Sequence, residues 1–404
     1  MKKLKTMLIL VLAVGMLFSA VGCSMITVNE ERDKEQVVAT VNGVEIKKEE
    51  ILRDIDAYYQ MYGITDDNRD TQEGQELLSR AKTLLLDDYI EAEIIRQQAE
   101  KMGLYPLTEE ELQQAKEDAE AMGQSLTELH QESVQSDVEE DPSLDYDTEL
   151  NARLEESLLQ AGVSNGALEA GYIRDTIETK VKEAVTADVQ VSDEEVQAWY
   201  DEQLAEQKES LDEAPETLSD VESSTISVYV PEGLRYVKHI LIAIPDEAAD
   251  EISSLRTDGD TEGADALRDE ELAKLKPKAE EVLAKVQAGE DFDSLIAEYG
   301  EDPGMESNEE GYLISEGNTD YVEEFVQAGM ALEKVGDTSG LVASDYGYHI
   351  IQYTSDKTAG AIPLDDVKTE IYEKLMSDTI ESTWEDQLSA WMSEAEVVKY
   401  ENRL

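Results

Sequence analysis

The spacing of apolar residues changes twice along this chain, and that change limits the folds open to it. From Glu76 to Met102 the positions Leu77, Leu78, Ala81, Leu84, Leu85, Ile90, Ile94, Ile95 and Ala99 recur every three or four residues, which predicts a long amphipathic helix stopped by Gly103. From Leu234 to Asp356 the pattern shifts to short alternating segments, brief helices and glycine turns. Leu364 to Trp391 then returns to helical spacing through Val367, Ile371, Leu375, Ile380, Trp384, Leu388 and Trp391. A helical N-terminal region and one C-terminal helix therefore flank a compact unit, and the flanks are expected to pack together around the insertion. No repeat of solenoid period is present.

Smaller signals fill in this outline. Val37 to Ile46 alternates around Asn42-Gly43, a hairpin signal, and Lys48 to Tyr62 carries Ile51, Ile55, Tyr58, Tyr59 and Tyr62 on one helical stripe. Thr108 with Glu111 and Ser192 with Glu195 are capping boxes that each open a helix. Asp137 to Asp147 and Lys208 to Thr225 are rich in acid, Ser and Pro, and both read as mobile loops or linkers.

Charge excludes one class of partner. With 95 acidic and 33 basic side chains the formal charge is −62, so nucleic acid, which needs clustered Lys and Arg, is ruled out. Three His and one Cys leave no material for zinc ribbons or disulfide frameworks, and neither a metal nor any other cofactor is expected. Asp258, Asp260, Glu262, Gly263 and Asp269 imitate a calcium loop, but Asp265 replaces its apolar position and its last ligand is not Glu; the segment reads as a solvated helix connection.

The N-terminus accounts for the cysteine. Lys2, Lys3 and Lys5 precede an apolar run from Met7 to Phe18, too short for a comfortable membrane span, then Ser19-Ala20-Val21-Gly22 and Cys23. This resembles the bacterial lipoprotein signal, cut before a Cys whose sulfur receives a diacylglycerol. Ala20 stands where that signal usually has Leu. The resemblance implies a lipid anchor at Cys23 on the outer face of a bacterial cytoplasmic membrane. Loss of the signal's three lysines takes the charge from −62 to −65, and an acidic body of that kind would stand off an anionic surface.

Two of the three histidines lie in apolar strands near the ends of the inserted unit: His239 in Arg235 to Ile242 and His349 in Gly347 to Tyr353. A lone His in such a strand is usually a packed core residue; two facing each other across a sheet point to function. His130, in LTELHQES, reads as a surface residue.

The stretches VKHILI (237 to 242), GEDFDSLIAEYGEDPG (289 to 304), FVQAGMALEKVGDTSGLV (325 to 342) and YGYHIIQY (346 to 353) resemble the parvulin family of peptidyl-prolyl cis/trans isomerases, in order and spacing. The flanks resemble the exported foldase lipoproteins of the PrsA type and the related SurA chaperone. The implied fold class is α+β: a helical chaperone domain built from N-terminal helices plus the C-terminal helix, with an inserted parvulin domain of a small antiparallel sheet surrounded by helices. The expected boundaries are a signal peptide (1–22), a lipid-proximal linker (23–36), a SurA-like helical region (37–205), an acidic linker (206–233), the parvulin domain (234–356) and a C-terminal helix completing the chaperone domain (357–404).

The resemblance also implies roles. His239 and His349 correspond to the family's paired histidines, Asp302 to a polar group near the substrate carbonyl, and Ser344 to the residue that orients a histidine. Leu313, Tyr321 and Phe325 would grip the proline ring, and Tyr346 takes a turn position that is often aromatic. Unfolded or partly folded exported polypeptides are the implied partners, and family members of this layout can form homodimers through the helical domain. Two departures matter. The usual GGDLG turn reads Glu309-Glu310-Gly311-Tyr312-Leu313, which leaves the turn geometry open and keeps a non-catalytic holdase as the alternative. Pro245-Asp246-Glu247 replaces the basic loop of phosphate-directed relatives, so phosphate specificity is not expected.

Overall fold

The computed structural model describes residues 33–404 apart from 53, 66, 162 and 165; Cys23 and the leader lie outside the described residues. The chain divides into two compact units, one made of residues up to Val189 together with Ile380–Leu404, the other of Gln190–Thr379.

In the first unit, β1 (Val37–Val41) and β2 (Val44–Lys47) form the expected hairpin. Asn42 and Gly43 both take positive φ (50° and 86°), the type I′ turn whose twist matches the strands. A C-terminal strand, Val397–Lys399, pairs on the other side of β1 with Thr40 opposite Val398, so segments far apart in the sequence share one sheet. The helices are α1 (Lys48–Ile51), α2 (Ile55–Met61), α3 (Gln72–Met102), α4 (Glu109–Glu140), α5 (Tyr146–Gln160) and α6 (Leu168–Thr186). Thr71 caps α3 by accepting the Gly74 N–H, and Gly103 ends it in the left-handed conformation at φ 76°. Leu85, Leu86, Ile90 and Ile94 of α3 pack with Val38, Ile46, Val181, Trp384 and Trp391, the two indoles meeting edge-on at 6.0 Å. Among the described residues no helix is long and apolar enough to cross a membrane.

Two expectations for this unit are corrected. The Lys48–Tyr62 helix is broken between Ile51 and Ile55. Unbroken, it would set Asp54 on the buried stripe of Ile51 and Ile55 (spacing three and four). In the fold Asp54 is buried and its Oδ2 accepts bonds from the Tyr89 hydroxyl (2.7 Å) and Arg174 Nη2 (3.1 Å). The loop expected over Asp137–Asp147 shrinks to residues 141–145, because α4 runs on to Glu140, where Val134 is buried and Asp137 pairs with Arg153.

The second unit opens with α7 (Asp193–Glu213), capped as expected by Ser192 and Glu195, and α8 (Leu218–Ser224). The 206–233 stretch, expected as an acidic linker with a mobile loop at Lys208–Thr225, is ordered. Leu211 and Leu218 pack on Tyr229, Val230 and Leu234, and buried Gln207 donates to the Ile226 carbonyl (2.9 Å) while accepting the Val228 N–H (2.8 Å). Few apolar residues suffice there because each is fully used.

After β3 (Tyr229–Val230) come β4 (Arg235–Ala243), α9 (Asp246–Thr257), α10 (Thr261–Gln287), α11 (Phe292–Tyr299), α12 (Gly304–Ser307), β5 (Tyr312–Ile314), α13 (Glu323–Met330), β6 (Val342–Ser344), β7 (Gly347–Asp356) and β8 (Gly360–Ala361). The main sheet has the order β5-β4-β7-β6, antiparallel throughout. One face of it, with Ile240, Ile242 and Ile350, packs on Ala279 and Val282 of α10 and Phe292 and Leu295 of α11. The opposite face, with Val237, Ile314 and Ile351, packs on Phe325 of α13. The C-terminal helix (Leu364–Glu394) contributes Val367 and Ile371 to a separate cluster with Val196 and Tyr200.

Trp384 is 4% exposed at the centre of the first unit's core. Trp384→Ala should destabilise that unit by roughly 3–5 kcal/mol in denaturant unfolding, the cost of deleting a buried indole.

Candidate functional site

The register of β4 and β7 sets Leu241 opposite His349 and His239 opposite Ile351, so both imidazoles lie on the α13 face. Their Nδ1 atoms are 3.0 Å apart. His239 Nε2 lies 2.6 Å from Asp302 Oδ2, which also accepts the Tyr312 hydroxyl at 2.7 Å; Oδ1 accepts the Gly304 N–H at 3.0 Å. At the other end His349 Nε2 lies 2.7 Å from Ser344 Oγ, which in turn accepts the Tyr346 N–H at 3.1 Å.

Only one proton fits between two Nδ1 atoms at that distance, and an ionised carboxylate can only accept. With both rings neutral the order of donors is therefore fixed. His239 gives its Nε2–H to Asp302 and accepts at Nδ1 from the His349 Nδ1–H, and His349 Nε2 accepts from the Ser344 hydroxyl. The hydrogen bond from His239 holds the Asp302 carboxyl at about 2, well below the usual carboxylate range, helped by Tyr312 and Gly304 against the cost of burial. Burial first, and the neighbouring His239 second, push His349 down to about 3. Burial and the bond to Asp302 push the Tyr312 phenol up.

Beside this chain of polar groups lies a cavity of about 500 Å³ walled by Leu241, Tyr312, Tyr321, Phe325 and Tyr346. Phe325 is 3% exposed and meets both imidazoles edge-on at 5.1 and 5.5 Å. A second cavity of about 560 Å³ also reaches Asp302, and a third of about 750 Å³ shares Tyr321. Seven of the eight residues singled out for this site in the sequence thus converge: His239, Asp302, Ser344, His349, Tyr321, Phe325 and Tyr346.

Leu313 does not converge. It is paired with Tyr236 on β5, turns away from the cavity, and packs with Leu211, Leu218 and Leu234. Its neighbour Tyr312, which the sequence reading left out, takes the inward position. Tyr312-Leu313-Ile314 is apolar on both faces, so alternation alone could not decide which side faces inward. The altered turn keeps glycine where backbone geometry demands it: Gly311 has φ 98°, and a Cβ there would lie 2.4 Å from the Val237 carbonyl oxygen.

Elsewhere, Asp265 and Asp269 of the calcium-like segment are held by Arg256 and Arg268. His130 is half-buried, with its Nε2 2.7 Å from Ser157 Oγ.

The PPIC-type PPIase (rotamase) domain family matches residues 239–355, and the SurA-like N-terminal domain family matches residues 1–140. The sheet with its paired imidazoles is thus part of a peptidyl-prolyl isomerase domain of the parvulin type. Over its whole length the chain is similar to foldase proteins of the PrsA type. The foldase protein PrsA of Clostridium botulinum (strain Hall) is 24% identical over 408 residues, covering 98% of each chain. That of Clostridium kluyveri (strain ATCC 8527) is 23% identical over the full length of both. The crystal structure of peptidylprolyl isomerase (PrsA) from Bacillus cereus aligns over 92% of this chain and 96% of that one, at 17% identity and a TM-score of 0.22.

The depressed value for His349 fixes a pH dependence. Between its folded value of about 3 and the ordinary 6.5, the unfolded chain binds a proton that the folded one does not, so this group's contribution to stability falls as pH drops through that window. The slope is about 1.4 kcal/mol per pH unit. Comparing denaturation of the parent and His349→Gln from pH 7 to 4.5 should show the parent losing stability faster; parallel curves would mean that the imidazole is not held neutral.

Proposed function

We propose that this foldase works on the outer face of a bacterial cytoplasmic membrane, held there by lipid on Cys23. In this reading the helical region binds unfolded exported chains, and the 234–356 domain isomerises their prolyl bonds. The observation that carries it is the unbroken run from Ser344 through His349 and His239 to Asp302, set against an aromatic cavity.

Rotation about a peptidyl-prolyl bond faces a barrier of roughly 18–20 kcal/mol because it breaks amide resonance. No bond to the enzyme is needed. Tyr321, Phe325, Leu241 and Tyr346 take the pyrrolidine ring. Asp302, an anion at neutral pH, lies beside the carbonyl oxygen. Resonance places negative charge on that oxygen in the planar amide, and a fixed anion next to it disfavours the charge-separated form. The twisted amide carries less of that charge, so the site favours it. His239 and Tyr312 hold the carboxylate in place, while His349 and Ser344 fix the orientation of His239. The two further cavities that meet at Asp302 and Tyr321 leave room for polypeptide on both sides of the proline.

Asp302→Asn and Phe325→Ala should each lower kcat/KM on a short prolyl peptide by an amount on the order of 10²-fold, while Leu313→Ala leaves it unchanged. Full activity in His239→Ala, Asp302→Asn and Phe325→Ala together would overturn the site. Cys23→Ser should move the protein from the membrane fraction to the medium, and unchanged membrane retention would remove the lipid anchor from this reading.

A further inference from the structure

The hairpin joining β6 to β7 places three consecutive residues in different surroundings. Ser344 faces His349, Tyr346 lines the cavity, and between them Asp345 reaches the α9–α10 pair. There Arg256 Nε and Nη2 donate to the two Asp345 oxygens at 2.9 and 3.0 Å, and Nη2 also donates to Asp265 Oδ1 at 2.7 Å. Arg268 Nη1 backs the cluster, 3.1 Å from Asp265 and 3.6 Å from Asp345. A two-point guanidinium–carboxylate pair fixes an angle as well as a distance. The Ile244 N–H, on the segment leading into α9, donates to the Tyr346 carbonyl at 2.8 Å, so the hairpin is held from two directions.

We propose that Arg256, through its paired bonds to Asp345, is a positioning residue for the isomerase: it holds the two-residue turn so that the Ser344 hydroxyl points at His349 Nε2. The calcium-like acidic segment then has a structural use, since Asp265 holds the guanidinium in register with Asp345. The side-chain hydrogen bonds of Arg256 go to Asp345, Asp265 and the Thr261 carbonyl, not to residues that wall the cavity, and its proposed effect runs through Ser344. A lysine cannot replace it, because an ammonium is a point charge without the planar fork that fixes the angle of the carboxylate. The proposal rests on the reading that the Ser344–His349–His239–Asp302 run serves isomerisation.

A double-mutant cycle in the full chain tests it, with kcat/KM on one prolyl peptide as the readout. Arg256→Gln and Asp345→Asn should each lower activity about tenfold, the scale expected when a supporting group shifts by a fraction of an ångström. Arg256→Lys should not restore it, and Ser344→Ala should show a similar loss. Arg256→Gln combined with Ser344→Ala should be no worse than Ser344→Ala alone. In nitrogen-15 spectra the parent's His349 ring should show a single Nδ1–H tautomer, and Arg256→Gln should lose it, at unchanged melting temperature. Parent-like activity in both Arg256→Gln and Asp345→Asn overturns the proposal, as does an equal fractional loss from Arg256→Gln in the presence and absence of Ser344. If Ser344→Ala alone has no effect, the route through Ser344 is overturned. In that case the wider reading of the site stands or falls separately on Asp302→Asn.

Discussion

The antiparallel pairing of β4 with β7 is the constraint on which the rest of the site depends. Its register brings His239 and His349 to one face as a diagonal pair, close enough for a single shared proton. A slip of one residue in either strand would turn that strand's histidine toward the face where Ala279 and Val282 of α10 and Phe292 and Leu295 of α11 pack. The strands are therefore held to their register from both sides. Ile240, Ile242 and Ile350 must meet helices, and His239 and His349 must meet each other. The hydrophobic pattern and the polar pair specify the same alignment, and that agreement allows two buried imidazoles to be tolerated in a small sheet.

The direction of hydrogen bonding defines what the site can do. Donors converge on Asp302 from His239, Tyr312 and Gly304, so its charge is stabilised and its proton affinity is low. A carboxylate held near 2 is a poor base at neutral pH but a dependable anion. That suits a reaction in which no proton needs to move, and it separates this site from hydrolytic ones that use the same residue types with a base poised near neutrality. In the proposed mechanism the network is a fixed electrostatic frame, with the histidines as spacers between the β6–β7 turn and the carboxylate.

Much of this was legible in the sequence because it rested on local patterns. The Asn42-Gly43 hairpin, the helix ending at Gly103, the two capping boxes and both histidine strands all stand where the spacing put them. The errors came from residues whose environment is set at a distance. Lys208–Thr225 looked too polar to fold, yet Leu211, Leu218 and one buried Gln207 fasten it to chain that lies further on. The helix break before Ile55 was not legible because the partners of buried Asp54, Tyr89 and Arg174, come from other helices. Leu313 and Tyr312 exchanged roles because both faces of β5 are apolar and only the pairing with β4 decides between them.

The acidity that first served to exclude nucleic acid is also unevenly useful to the fold. Helices α4, α7 and the C-terminal helix begin with acids, Glu109-Glu110-Glu111, Asp193-Glu194-Glu195 and Asp365-Asp366, where the partial positive charge of the helix start favours them. None of the three has a basic residue in its last turn, so the negative helix ends go uncompensated. Such ends fray unless packing or an ion pair holds them. Near the end of α7 the hold is Leu211, fully buried, and near the end of α4 it is the pairing of Asp137 with Arg153. In a chain with 95 acids to 33 bases, each arginine that bridges two elements has more acids to answer than it can reach. Those that are two-handed, as Arg256 is toward Asp345 and Asp265, therefore mark the places where the fold most needs a fixed angle.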